Sequence, residues 1–200
     1  MDYQYERSIA QKGYKYICGI DEAGRGPLAG AVWTAAVVLP LDFEIDGLND
    51  SKKLTEKKRE ELFDIITKNA VFYSIEKVEA QVIDKINILN ATMLAMKKAC
   101  EKLDKCDYAL IDGNKLPELN IPCEFIIKGD SKSPSIAAAS ILAKVSRDRE
   151  MLEMAKIYPE YNFEKHKGYG TKLHYEKLEE FGACKIHRQT FLRKFYENNR

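Results

Sequence analysis

Three short apolar segments of this chain end in carboxylates. Tyr16-Ile17-Cys18-Gly19-Ile20 runs into Asp21-Glu22, Tyr108-Ala109-Leu110-Ile111 into Asp112-Gly113, and Cys123-Glu124-Phe125-Ile126-Ile127 into Lys128-Gly129-Asp130. Apolar runs of this length, bounded by turn residues, read as buried strands. Asp is depleted inside strands, so one acid at a strand end is ordinary. Three in succession say more. If the strands are parallel neighbours, Asp21, Glu22, Asp112 and Asp130 converge where α/β sheets carry their sites, outside the strands' carboxyl ends. Clustered carboxylates repel, and a bound cation relieves the repulsion. Oxygen-only donors suit a hard ion, Mg²⁺ or Mn²⁺. Taken singly, each acid is also a plausible turn residue or helix cap, so the pattern leaves both readings open.

Two more segments, 30–40 and 71–75, alternate or cluster apolar β-formers and bring the strands to five. Thr55 is placed to cap a helix over 55–70, with Leu62, Ile65 and Ile66 on its inner stripe. Apolar residues at three- and four-residue spacing predict a helix over 82–103. Ser133-Pro134 opens a helix whose first half, 136–143, is almost all small or apolar and therefore buried. Thr171 caps a short helix stopping at Gly182, and 186–196 reads as a basic amphipathic helix with Phe191, Leu192 and Phe195 inward. The order predicts an α/β fold. A mixed five-stranded sheet, an antiparallel meander followed by crossover units, is flanked by helices and carries a helical C-terminal extension. No linker divides the chain, so residues 1–200 are expected to form one domain, with a basic helical part from about 160.

The net charge is only +1, which excludes a generally basic coat, yet residues 126–200 hold 15 basic and 10 acidic side chains. That part is the expected face for a polyanion. Its candidates for gripping a duplex backbone are Lys165, Lys167, Lys172, Arg188, Arg193 and Lys194, each of which also reads as a solvated residue. Five cysteines, odd in number and without a C-x-x-C pair, suit reduced thiols. Cys184 and His187 lack a second ligand pair for zinc. The polar N-terminus and the absence of a long apolar run predict a cytoplasmic protein with no membrane partner. Asp84 and Asp148 read as solvated or salt-bridged acids on helix faces, and His174 and His187 as packing residues.

Asp21-Glu22-Ala23-Gly24-Arg25-Gly26-Pro27-Leu28-Ala29-Gly30 carries a loose G-x-G-x-x-A pattern, but its context is wrong for a dinucleotide site. A strand follows rather than a helix, and two acids stand where a pyrophosphate would sit. The alternative is a loop whose backbone approaches a ligand closely: Gly24 and Gly26 permit positive φ and remove bulk, and Arg25 sets a guanidinium beside the acids.

These residues closely resemble the first motif of bacterial ribonuclease HII. The likeness continues in the family's order through Asp50-Ser51-Lys52-Lys53-Leu54, Ile111-Asp112-Gly113-Asn114, Lys128-Gly129-Asp130-Ser131-Lys132, the stretch from Ile136 to Asp148, and His166-Lys167-Gly168-Tyr169-Gly170-Thr171. The sister family, ribonuclease HIII, typically has Gly-Thr-Gly where this chain has Gly24-Arg25-Gly26. The resemblance implies the ribonuclease H-like fold, hydrolysis of RNA in RNA–DNA hybrids, and incision at single ribonucleotides in duplex DNA, with two Mg²⁺ or Mn²⁺ ions and a monomeric enzyme. It further implies that Asp21, Glu22, Asp112 and Asp130 are the metal-binding catalytic acids, that Gly24, Arg25 and Gly26 read the 2′-hydroxyl, and that Tyr169 stacks on the next sugar. Lys52, Ser131 and Lys144 are implied phosphate contacts. Two rivals remain at this stage. A junction-cleaving nuclease would have no purpose for Gly24-Arg25-Gly26 and Tyr169. A non-catalytic nucleic-acid module would be weakened by uncompensated acids.

Overall fold

The computed structural model describes residues 1–198, so the last two residues of the expected 1–200 unit lie outside the described residues. Five strands form one mixed sheet: β1 (Ile17–Ala23), β2 (Val32–Val38), β3 (Phe72–Val78), β4 (Tyr108–Asp112) and β5 (Cys123–Ile126), in the order β3-β2-β1-β4-β5. The first three make the antiparallel meander, and β4 and β5 add parallel to β1. This is the architecture the alternation of elements implied.

The register carries the functional consequence. β1 pairs with β4 only as far as Ile20↔Ile111, while its pairing with β2 continues through Ala23↔Trp33. The carboxyl end of β1 therefore outruns its parallel neighbour, and Asp21 and Glu22 lie inside the strand rather than after it. Asp112 is the last residue of β4, and Asp130 sits in a 3₁₀ turn (Gly129–Ser131) beyond β5.

Helix α1 (Gln4–Ala10) precedes the sheet, α2 (Glu56–Asn69) links β2 to β3, and α3 (Ala80–Glu101) links β3 to β4. Thr55 caps α2 as its sequence position required. The 82–103 segment is helical but not continuous. Asn87 has φ 65 and ψ 165, and its side chain accepts from the Asn90 amide, restarting the helix. After β5 comes α4 (Pro134–Ile157), capped by Ser133 with Pro134 in the first turn. Ser133 also donates to Glu6 of α1, which is buried and accepts the Ser135 amide as well, so a carboxylate sits at the positive end of α4. Residues 134–143 of α4 are buried on every side. Gly19 explains how closely α4 lies on β1: a Cβ there would come within 2.1 Å of the Ser135 backbone.

The C-terminal part follows α4 as α5 (Phe163–His166), α6 (Lys172–Phe181) and α7 (Gln189–Asn198). Its own core gathers Leu28, Met151, Tyr161, Phe163, Leu178 and Leu192, with Phe191 and Phe195 packed against it, as the amphipathic pattern required. Asp84 of α3 is a correction to the sequence reading. It caps α7, accepting from the Gln189 and Thr190 amides and the Thr190 hydroxyl. Among the described residues no helix is long and apolar enough to cross a membrane.

Candidate active site

The expected acids meet at the carboxyl end of the sheet. Asp21 is 4% exposed and Asp130 7%. Burial first, then the charges of Glu22 and Asp112, drive the Asp21 carboxyl well above its ordinary range. Glu22 is also raised by burial, opposed by Arg25 and reinforced by Asp112. Asp130 is raised by burial, then by Asp112 and Asp50. Asp112 thus acts on all three other acids. Its own carboxylate is fixed by the Gly129 amide, which donates to Oδ1 at 2.7 Å. Asp21 accepts from the Glu22 amide at 2.7 Å and is bonded to the Ser140 hydroxyl, which in turn meets Ser51 at 2.9 Å. Ser51–Lys53 is a 3₁₀ turn capped by Asp50, and it delivers Lys52 to the acids. Burial works against the charge on Lys52, but Asp21, Asp130, Asp50 and Asp112 outweigh it and raise its pKa.

This donor set is hard oxygen throughout. Negative charge is held in partial burial with Lys52 and Arg25 as the nearby cations, and a divalent cation would relieve what remains. The residues fit Mg²⁺ or Mn²⁺.

Glu22, Gly24, Arg25, Gly26, Lys52, Lys144 and Tyr169 border a cleft of about 210 Å³. Arg25 leans over Glu22 at 3.5 Å and is half exposed. Gly24 has φ +96, and a Cβ there would lie 2.3 Å from Nε of Arg147. Gly26 corrects the expectation drawn for it, since its φ is not positive and nothing lies within 4 Å of a Cβ built on it. Lys144 is held by Asp148 at 2.7 Å. Ser131 stands apart from the cleft lining, its hydroxyl donating to the Lys128 carbonyl.

Tyr169 is 43% exposed, with the Arg147 guanidinium 5.4 Å and the Lys144 ammonium 6.0 Å from its ring. Its loop is docked on the glycine loop. The Leu28 amide donates to Gly168, and Gly168, at φ +82, lies so close to Ala29 that a Cβ would be 2.6 Å from its carbonyl.

Two arginines that sequence reasoning did not assign to this work hold the loops together. Arg188 was expected on the duplex-binding face. It is fully buried instead, and it donates to the carbonyls of Gly24, Arg25 and Gly30. Burial and the neighbouring Arg147 lower its pKa to about 9, which leaves it charged at neutral pH. Arg147, also fully buried, donates to the Lys167 carbonyl at 2.7 Å. Its Nε and Nη1 find no hydrogen-bond acceptor among the described residues and lie beneath Tyr169 and Gly24. Of the other predicted backbone grips, Lys165, Arg193 and Lys194 are exposed, Lys172 pairs with Glu176, and Lys167 bonds the Glu164 carbonyl.

The histidines pack, as expected, and also form a relay. The Cys184 amide donates to His187 Nδ1, so His187 carries its proton on Nε2 and donates to His174 Nε2 at 3.0 Å. His174 then donates from Nδ1 to the Tyr169 carbonyl at 2.9 Å.

Comparison with known proteins agrees with this geometry. The ribonuclease HII family model matches residues 18–198. Ribonuclease HII of Caldicellulosiruptor saccharolyticus is 54% identical over 192 residues, covering 96% of this chain and 94% of its own. That of Endomicrobium trichonymphae is 58% identical over 191 residues, covering 94% and 91%. Among solved structures, RNase HII of Archaeoglobus fulgidus, determined in complex with PCNA, superposes with a TM-score of 0.76 at 27% identity over 92% of this chain and 96% of that one. The chain belongs to the ribonuclease HII family and is a metal-dependent ribonuclease.

Proposed function

We propose that this enzyme hydrolyses the RNA strand of RNA–DNA hybrids and incises 5′ of single ribonucleotides embedded in duplex DNA, leaving 5′-phosphate and 3′-hydroxyl ends. The observation that carries the reading is the shared cleft, in which Glu22, the Gly24-Arg25-Gly26 loop and Tyr169 face one another. A purely DNA-directed nuclease has no use for a loop and ring placed to inspect one sugar.

In this reading Asp21, Glu22, Asp112 and Asp130 hold two Mg²⁺ or Mn²⁺ ions. Such a pair, when bound, supplies water activation and stabilisation of the leaving 3′-oxygen. The protein's own groups do the rest. The Gly129 amide and Ser140 fix the orientation of Asp112 and Asp21. Gly24, Arg25 and Gly26 bring backbone against the minor groove, where the 2′-hydroxyl distinguishes RNA from DNA. Tyr169 packs on the sugar beyond the cut. Lys52 and Lys144 offer positive charge to the phosphates, and Ser131 a hydroxyl. Sugar and phosphate carry recognition, so base sequence matters little. The chain acts as one catalytic unit and as a monomer; within it, Arg188 of the C-terminal part holds the loop that follows β1. Its free cysteines suit a reducing cytoplasm.

The test is cleavage with Mg²⁺ or Mn²⁺ of three duplexes: an RNA–DNA hybrid, DNA with one ribonucleotide, and plain DNA. The reading expects cuts in the first two only. Cutting of plain DNA, or of none, overturns it.

A further inference from the structure

At the end of the sheet opposite the acids lies a second group of potential ligands. Cys18 on β1, Cys100 in the last turn of α3 and Cys106 in the loop before β4 bring their sulfurs within 4.8 Å of one another. Cys18 and Cys100 are buried, Cys106 is half-buried, and none is in a disulfide. The core around them includes Ala36, Met96, Leu103 and Ile111. The Cys106 thiol donates to the Tyr108 carbonyl at 3.4 Å.

We propose that Cys18, Cys100 and Cys106 form a trithiol site for a trivalent, thiol-seeking hydroxide of the arsenite class. Three sulfurs are soft donors and select soft centres. At a centre–sulfur distance of about 2.3 Å and the angles of about 100° of a pyramidal trivalent centre, three sulfurs stand roughly 3.5 Å apart, so the cluster closes by at most about 1.3 Å. Charge selects the ion. In this apolar core a zinc trithiolate would leave one uncompensated negative charge, and a cuprous one two, each costly to bury. Zinc also wants a fourth ligand, and Cys123, in the same core, stands outside the trio. A trivalent centre gives a neutral complex. The exchange balances without a base or an oxidant. Three S–H and three As–O bonds break, three As–S bonds form, and the thiol protons leave with the hydroxides as three waters, arsenic remaining trivalent. Half-buried Cys106 is the point of entry.

The experiment titrates the reduced, folded chain with sodium arsenite and follows intact mass, free thiols and melting temperature. One arsenic per chain is expected, with three of the five thiols lost and melting temperature rising with arsenite. Cys106→Ser, at a half-buried position, should fold and weaken binding at least about tenfold by removing one linked ligand. Cys184→Ser should leave binding unchanged. No retained arsenic, loss of fewer than three thiols, indifference to Cys106→Ser, or dependence on Cys184 overturns the proposal. Tight zinc or cadmium binding without arsenite binding overturns it too. None of these readouts involves cleavage, so they stand or fall apart from the proposed substrates.

Discussion

Arg188 donates to the Gly24 carbonyl across 2.6 Å, joining residues 164 positions apart. The same guanidinium reaches Arg25 and Gly30, so the start of α7 clamps the loop proposed to inspect the ribose. Lysine keeps the charge but presents a point donor instead of a fork. Arg188→Lys should cost about 2–4 kcal/mol of stability, at roughly 1.5–3 kcal/mol per charged hydrogen bond lost. It should also raise KM for a duplex with one ribonucleotide by about tenfold. Denaturant unfolding and steady-state kinetics check both. A stable variant with unchanged KM would mean the loop holds its shape unaided.

How much of this was legible in the sequence depends on what kind of partner each residue has. The acids could be read because strand ends have a pattern, and Ser133-Pro134 because caps do. Arg188 and Arg147 could not. Their partners are backbone carbonyls from distant segments, which leave no mark in the sequence, and a buried arginine looks like any basic residue on an amphipathic helix. Lys144 reads as a phosphate contact, and the i,i+4 acid Asp148 that holds it is in plain view in the sequence. The three thiols come from three separate elements, and only the fold brings them together. Gly26 is unhindered, so nothing in the fold itself requires glycine there.

Asp112→Asn should lower cleavage by at least about a hundredfold while hybrid binding is kept or tightened. Asn retains the oxygen that accepts from Gly129, so the loop after β5 should stay in place. It removes a charge that weakens phosphate binding and helps hold metal. Cleavage within about threefold of wild type at saturating Mg²⁺, measured by single-turnover kinetics, would contradict the assignment.

Asp21 gives a stability prediction of definite sign. Its carboxyl pKa is raised in the fold, first by burial and then by Glu22 and Asp112. The native state therefore binds the proton more tightly than the unfolded chain, and stability falls as pH climbs from about 3.9 through the raised native value. At neutral pH without metal, Asp21→Asn should melt higher, by roughly 2–4 °C for each kcal/mol of relieved repulsion. Added Mg²⁺ should stabilise wild type and not the variant. Thermal melts with and without metal decide it, and a variant that melts lower in both would assign Asp21 a purely structural role.

His174 and His187 are shifted the other way for a base. Burial lowers both to about 4, helped at His174 by the charge of His166 and at His187 by those of His174 and His166. The unfolded chain binds protons from about pH 6.5 downward while the fold does not, so their contribution is complete above that pH and is lost as pH falls toward 4. Imidazole ¹⁵N NMR at pH 5.5 should find both rings neutral, with the proton on Nε2 of His187 and Nδ1 of His174. Titration near 6.5 would break the relay that holds the Tyr169 carbonyl.

Tyr169→Ala should impair incision at a single ribonucleotide more than cleavage of a long hybrid. The ring is exposed enough to meet substrate, while its backbone is fixed at both polar groups, the amide by His166 and the carbonyl by His174. In the free protein it rests beside Arg147 and Lys144, which can support the ring from behind without covering its outer face. At a single ribonucleotide the next sugar is deoxyribose, and the ring can pack against its bare C2′. In a hybrid that position carries a hydroxyl, so the contact contributes less and its loss matters less. Stacking on nucleic acid is worth about 1–3 kcal/mol, which corresponds to roughly fivefold to over a hundredfold in kcat/KM. Tyr169→Phe should keep most of the preference, because the contact needs the ring and not the hydroxyl. Equal losses on both substrates in the alanine variant would reduce Tyr169 to a prop for its loop, and junction recognition would then fall to Arg25 and its flanking glycines.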